Sequence, residues 1–229
     1  MRILISFLFL SFLFSGFRIY GAENELPYSN SRYATIGSVR LHYRVWNENY
    51  PEAKGKVLFI HGFIGSTYCF RMNVDALAAQ GYMVIAVDLP CFGYSDRSLD
   101  FNQSQEGRGN LLWKLLDSID RGDSGKWHLC GHSMGGGTAE AMALLEPQRT
   151  RSLTIVNGMV FLKNANLETQ FTILARKKPY RKIMVNLVEK RFISYKSVRK
   201  ALKKNYRFEP DSTVVMNYYR PLCIDGSAE

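Results

Sequence analysis

Lys126-Trp127-His128-Leu129-Cys130-Gly131-His132-Ser133-Met134-Gly135-Gly136-Gly137-Thr138 is the stretch on which the fold turns. Lys126 to Cys130 reads as a short buried strand, Gly131 to Gly137 as a tight glycine-rich turn, and Thr138 to Leu145 as a helix. Inside the turn, Gly131-His132-Ser133-Met134-Gly135 spells G-x-S-x-G. Five letters carry little weight alone; a strand before them and a helix after make the pattern specific. A serine at so sharp a turn has a strained backbone, and only small flanking residues let the chain fold back that tightly. Its Oγ is then presented at the carboxyl end of the sheet and the positive end of a helix dipole, where open α/β sheets bind ligands.

Upstream the same alternation repeats. Arg32 to Trp46 reads as a hairpin around Gly37-Ser38, with Val39, Leu41, Tyr43 and Val45 alternating with Arg40, His42 and Arg44, so His42 is expected on an exposed face. Lys56-Val57-Leu58-Phe59-Ile60 is a continuous apolar run, expected to be buried on both faces, and it ends in the small-residue loop His61 to Ser66. Phe70 to Gln80 has helical spacing and is stopped by Gly81. Tyr82 to Val87 is a second buried strand, closed by Asp88-Leu89-Pro90. Residues 104–119 suit a helix with Leu111, Leu112, Leu115, Leu116 and Ile119 on one face, and Ser152 to Val156 is a fourth strand, expected to be left as an unprotected apolar edge. This order predicts an α/β fold, a mostly parallel sheet with an N-terminal hairpin, over residues 31–158.

After Gly158 strand-like runs stop. Residues 163–207 read as short basic amphipathic helices, with apolar stripes at Phe171 and Leu174, at Ile183, Leu187 and Val188, and at Val198 and Leu202. Residues 160–229 hold 15 Lys+Arg against 6 Asp+Glu, nearly all of the whole-chain net charge of +10. Two readings of this charge stay open: attraction to an anionic membrane surface or acidic substrate, or ordinary solvated helix faces. Nucleic-acid binding is not indicated, because no recognition module accompanies the charge.

Met1-Arg2, the apolar run Ile3 to Phe17 and Tyr20-Gly21-Ala22 have the layout of a secretory signal peptide. Residues 1–22 are therefore expected to be a signal peptide or an uncleaved membrane anchor, with export to the periplasm or beyond. The apolar run is short for a bilayer, which takes roughly 20 residues to span. Cys69, Cys91, Cys130 and Cys223 form neither a dense disulfide framework nor a zinc pattern. A Cys69–Cys91 bridge is conceivable, since both follow strands, and Cys130 reads as a small buried residue. No metal or organic cofactor is implied.

Four motifs in order resemble the α/β-hydrolase superfamily, in its branch of esterases, lipases, C–C bond hydrolases and proline iminopeptidases. They are Leu41-His42-Tyr43-Arg44, Val57 to Phe63, Asp88-Leu89-Pro90-Cys91-Phe92-Gly93-Tyr94-Ser95-Asp96 and Gly131-His132-Ser133-Met134-Gly135-Gly136. The resemblance implies Ser133 as nucleophile, Gly131, His132 and Gly135 as its elbow, and the backbone N–H groups of Phe63 and Met134 as the oxyanion hole. It also implies a helical cap over residues 159–229 and a small-molecule acyl substrate. The family order then runs to an acid and a histidine, yet the histidines here are His42, His61, His128 and His132, none after Ser133. His42 reads as exposed, His61 as support for the oxyanion loop, His128 as a core residue and His132 as turned from the pocket. Asp211 and Asp225 follow no sheet strand. The last sheet strands of the family are missing from the sequence, so the expectation is a truncated serine hydrolase, inactive in this form; the alternative is a catalytically silent binding or scaffold protein.

Overall fold

The computed structural model describes residues 26–48, 53–120, 125–158 and 193–227. The leader and the stripes at 171–174 and 183–188 lie outside the described residues. Among the described residues, no helix is long and apolar enough to cross a membrane.

Six strands form one sheet: β1 (Ser31–Ile36), β2 (Val39–Trp46), β3 (Lys56–Ile60), β4 (Met83–Val87), β5 (Trp127–His132) and β6 (Thr150–Val156), in the order β1-β2-β4-β3-β5-β6. β3 to β6 run parallel, while the β1–β2 hairpin joins antiparallel through β2 to β4. β3 and β4 are buried along their whole length, as their unbroken apolar runs require. Alternate residues feed the two faces. Leu58, Ile60, Ile85, Val87 and Leu129 pack with α2 (Gln105–Asp120) and α3 (Met134–Leu145), while Val57, Phe59, Val84 and Ala86 pack with Phe70 and with Val74 of α1 (Val74–Ala79).

Several local readings are corrected. The helix expected over 70–80 is a 3-10 turn at Thr67–Phe70, capped by Ser66, followed by the short α1. The glycine-rich run is not a long turn: β5 continues to His132 and α3 begins at Met134. Low helix propensity hid that start; tight packing of the helix against β3 is what demands the glycines. All four cysteines are free, so the Cys69–Cys91 bridge does not form. Cys130 is half-buried, and β6 is paired on one side only among the described residues, with Leu153, Ile155 and Val156 exposed.

Two further helices, α4 (Tyr195–Tyr206) and α5 (Ser212–Tyr219), lie over the loops that follow β3 and β4. Val198 and Leu202 turn inward on Val215, as the third stripe predicts. The basic residues of α4 face outward, with Arg199 and Lys203 on Glu209. Asp211 caps α5 by accepting from the Thr213 N–H at 2.7 Å. Tyr68 meets Tyr218 edge-on at 5.7 Å, and Tyr28 donates to Asn217 Oδ1 at 3.1 Å.

This topology positions the site. From β3 the chain crosses to β4 on one side, then returns past β3 to β5 on the other. Ligand crevices open at such a reversal, outside the carboxyl ends of the strands. Ile60 stands opposite Gly131 in the register, which carries the loop after β3 and the turn after β5 out side by side.

Candidate active site

Ser133 stands alone between the last residue of β5 and the first of α3, with φ 52° and ψ −120°. A side chain adopts that region only where its surroundings over-determine it. Here they do. The Ser133 N–H donates to Val156 O at 3.1 Å, and Ser133 O accepts from the Gly136 N–H at 2.9 Å. A Cβ on Gly131 would stand 2.2 Å from Gly135 O, and one on Gly135 2.2 Å from Ile60 O. Both positions exclude any other residue, which is the steric reason the sequence pattern anticipates.

Gly62 closes the other side. A Cβ there would lie 2.9 Å from Ser133 Cβ and 3.1 Å from His132 Nδ1, so the β3 loop rests directly on the elbow. Phe63 follows, its ring 68% exposed and edge-on to Phe92 at 5.5 Å. Among the described residues, neither the Phe63 N–H nor the Met134 N–H has an acceptor, as expected for the first turn of α3. The Ser133 hydroxyl likewise makes no hydrogen bond among them.

Three of the four histidines are committed elsewhere. His61 is fully buried, donates from Nδ1 to Gly62 O at 2.7 Å and accepts at Nε2 from the Leu89 N–H at 3.0 Å. It thus pins the loop after β3 to the loop after β4, in keeping with its expected supporting role. Burial pushes its pKa below the usual 6.5, the nearby Asp88 only partly opposing this. His128 is half-buried rather than core, bonded to Ser152 Oγ at 2.7 Å. His42 is fully buried, not exposed: β2 is an interior strand, and its polar face is covered by Tyr28, Tyr33 and Tyr94.

His42 belongs to a network that sequence reading missed. Its Nδ1 donates to Asp88 Oδ2 at 2.7 Å, and its Nε2 accepts from the Ser31 hydroxyl at 2.7 Å. Ser31, His42 and Asp88 are thus linked in the order of a catalytic triad, yet all three are completely buried. Ser31 Oγ also accepts from the Tyr28 N–H, so this serine is structural. Asp88 takes further N–H groups from Thr67 at 2.5 Å and Tyr94 at 2.8 Å, and fixes the loop that flanks the crevice. Burial alone would raise the Asp88 pKa, but the His42 hydrogen bond, the electrostatic interaction with His42 and His61 and the Tyr94 N–H together hold it below 3.8.

Acid should therefore destabilise the fold in two stages. Folded His61 and folded Asp88 both bind protons less readily than the unfolded chain does, so stability falls as pH falls. The His61 contribution is complete above about pH 6.5 and erodes below it; the Asp88 contribution is complete above about 3.8 and is lost as pH drops through its lower folded pKa. Urea midpoints at pH 7.5 and 5.5 should differ, the lower pH being weaker, and His61→Gln should flatten that difference. An undiminished difference in the variant would assign it to another group.

Residues 56–190 match the family model described as alpha/beta hydrolase fold. The chain belongs to the alpha/beta hydrolase family. A 2-hydroxy-6-oxononadienedioate/2-hydroxy-6-oxononatrienedioate hydrolase of Cupriavidus pinatubonensis is 34% identical to this chain over 131 residues, covering 56% of the chain and 44% of the relative. A protein of the same name from Burkholderia vietnamiensis is 39% identical over 133 residues, covering 57% and 45%. The chain thus spans under half the length of these relatives. The crystal structure of Cfl2 from Burkholderia cenocepacia superposes with a TM-score of 0.64 at 20% identity, over 86% of this chain and 67% of that one, a likeness of fold.

Proposed function

We propose that this chain carries the nucleophile half of a serine hydrolase that cleaves an ester, amide or related acyl bond. The observation that carries the reading is the strained Ser133 elbow pressed against Gly62, flanked by two N–H groups without an acceptor among the described residues. Ser133 Oγ adds to the carbonyl carbon and gives up its proton, which passes through water to the leaving group, while the Phe63 and Met134 N–H groups take the oxygen, which becomes an oxyanion. Each such donor is worth about 2.7–4 kcal/mol toward the transition state. Collapse expels the leaving group and leaves an acyl-enzyme, which water then hydrolyses. The names of the two curated relatives extend the range of bonds to a carbon–carbon bond beside a ketone, attacked at the same carbonyl. Met1 to Ala22 supports an exported protein.

These 229 residues supply no histidine after Ser133, and His42, His61 and His128 are hydrogen-bonded elsewhere. Loss of a triad base costs about 10⁴–10⁶ in turnover, so acylation by this polypeptide should be slow. Incubation with p-nitrophenyl butyrate followed by intact-mass and peptide mass spectrometry should find one acyl group, on the peptide holding Ser133 and absent from Ser133→Ala. An adduct on Ser31, or none at all beside retained ligand binding, would favour the silent-binder reading.

A further inference from the structure

A cavity of about 410 Å³ opens beside Phe63 and runs away from the elbow, between the loops after β3 and β4 and the chain around α5. Phe63 lines it and Ser133 does not, so it is placed to hold the part of a substrate remote from the scissile bond. Phe92, Leu99 and Tyr218 give it apolar walls; Arg97 and Arg108 bring two guanidinium groups, and among the described residues no Asp or Glu lines it.

The two arginines differ. Arg97 donates to the carbonyl oxygens of Phe92, Gly93, Ser95 and Pro221 and to Ser227 Oγ. Asp88 and Asp96 lie near enough to offset its charge. Arg108 makes no side-chain hydrogen bond and no ion pair among the described residues, and its Nε is buried without an acceptor. It also stands in the inward stripe of α2, one turn before Leu111 and Leu112. A charged residue in that position, left unpaired, is costly, and buried donors in native proteins are matched by acceptors.

We propose that Arg108 is the anchor for a carboxylate on the substrate, held in this cavity while Ser133 and Phe63 engage the carbonyl at its mouth. The substrate class is then an acyl compound bearing a carboxylate at the end remote from the bond cleaved. The assignment rests on the proposed serine chemistry for the word substrate, and on the cavity alone for the anion. A carboxylate fits better than a phosphate dianion. One guanidinium is uncommitted among the described residues, its planar fork matches two carboxylate oxygens, and Phe63, Phe92, Leu99 and Tyr218 make much of the wall apolar.

The test compares binding of two unreactive anilides by the 229-residue chain: glutaranilate, which carries a carboxylate, and butyranilide, its neutral counterpart. Calorimetry should give the anion an advantage of about tenfold or more, the scale of charge-assisted hydrogen bonds. Arg108→Gln should abolish that advantage and Arg108→Lys should keep part of it; the lysine variant also guards against a folding defect, checked by its unfolding midpoint. Equal binding of the two anilides by the natural chain, or an advantage that survives in Arg108→Gln, overturns the proposal. Failure of Ser133 to acylate, with the Arg108-dependent advantage intact, removes the serine chemistry and leaves the anion site standing.

Discussion

Replacing Gly135 with alanine is expected to cost about 4 kcal/mol or more of stability. The new Cβ would stand 2.2 Å from Ile60 O and 2.4 Å from His61 O. Neither oxygen can withdraw, because β3 is paired on both sides, to β4 and to β5. The helix must therefore lift from the sheet and take the elbow with it. Gly37→Ala is the control: its Cβ would meet nothing within 4 Å, and only the φ of 63° opposes it, a cost of about 1–2 kcal/mol. Urea unfolding of both variants decides the matter. Equal midpoints would mean that the contact between α3 and β3 does not constrain the elbow.

The second large effect concerns Asp88. Asparagine in its place would set an amide NH₂ against some of the three donors that now meet the carboxylate, from His42, Thr67 and Tyr94. Breaking a buried charged pair by removing one partner typically costs about 3–5 kcal/mol. Ser31→Ala, which removes one hydroxyl from the same network, should cost only about 1 kcal/mol. If thermal unfolding showed the two variants alike, the carboxylate would not be what fixes the loop after β4. The glycine at 93 belongs to the same argument: a Cβ there would lie 2.0 Å from Asp88 Cγ, so the loop can wrap the carboxylate only at that residue.

What was legible in the sequence follows from where the information lies. Val57 to Ile60 and Met83 to Val87 announce buried parallel strands because both faces are covered, and burial on both faces leaves no polar alternation. The elbow at Ser133 is legible because its glycines answer a local steric demand. His42 was misread for the opposite reason. Its neighbours in the chain alternate like a half-exposed hairpin, while the residues that bury it, Tyr28, Tyr94 and Asp88, come from elsewhere in the sequence. Asp88 was visible only as part of a motif, and its role as a hub depends on contacts with β2 and with the turn at Thr67. Arg108 offered one signal, a charge in the apolar stripe of α2, but its lack of a partner among the described residues shows only in the folded chain.

Arg97 has a consequence for how the molecule is made. Its guanidinium joins the loop after β4 to Pro221 and Ser227, which lie 124 and 130 residues further along. Closing a loop of that size has a high entropic cost before any contact rewards it, which makes such contacts late ones in folding. On the ribosome, the loop after β4 emerges early, and its arginine must wait until Pro221 to Ser227 have been synthesised. The cavity wall is therefore completed after the six described strands, and a chain stalled before Pro221 would present Phe63 and Phe92 uncovered to chaperones and proteases.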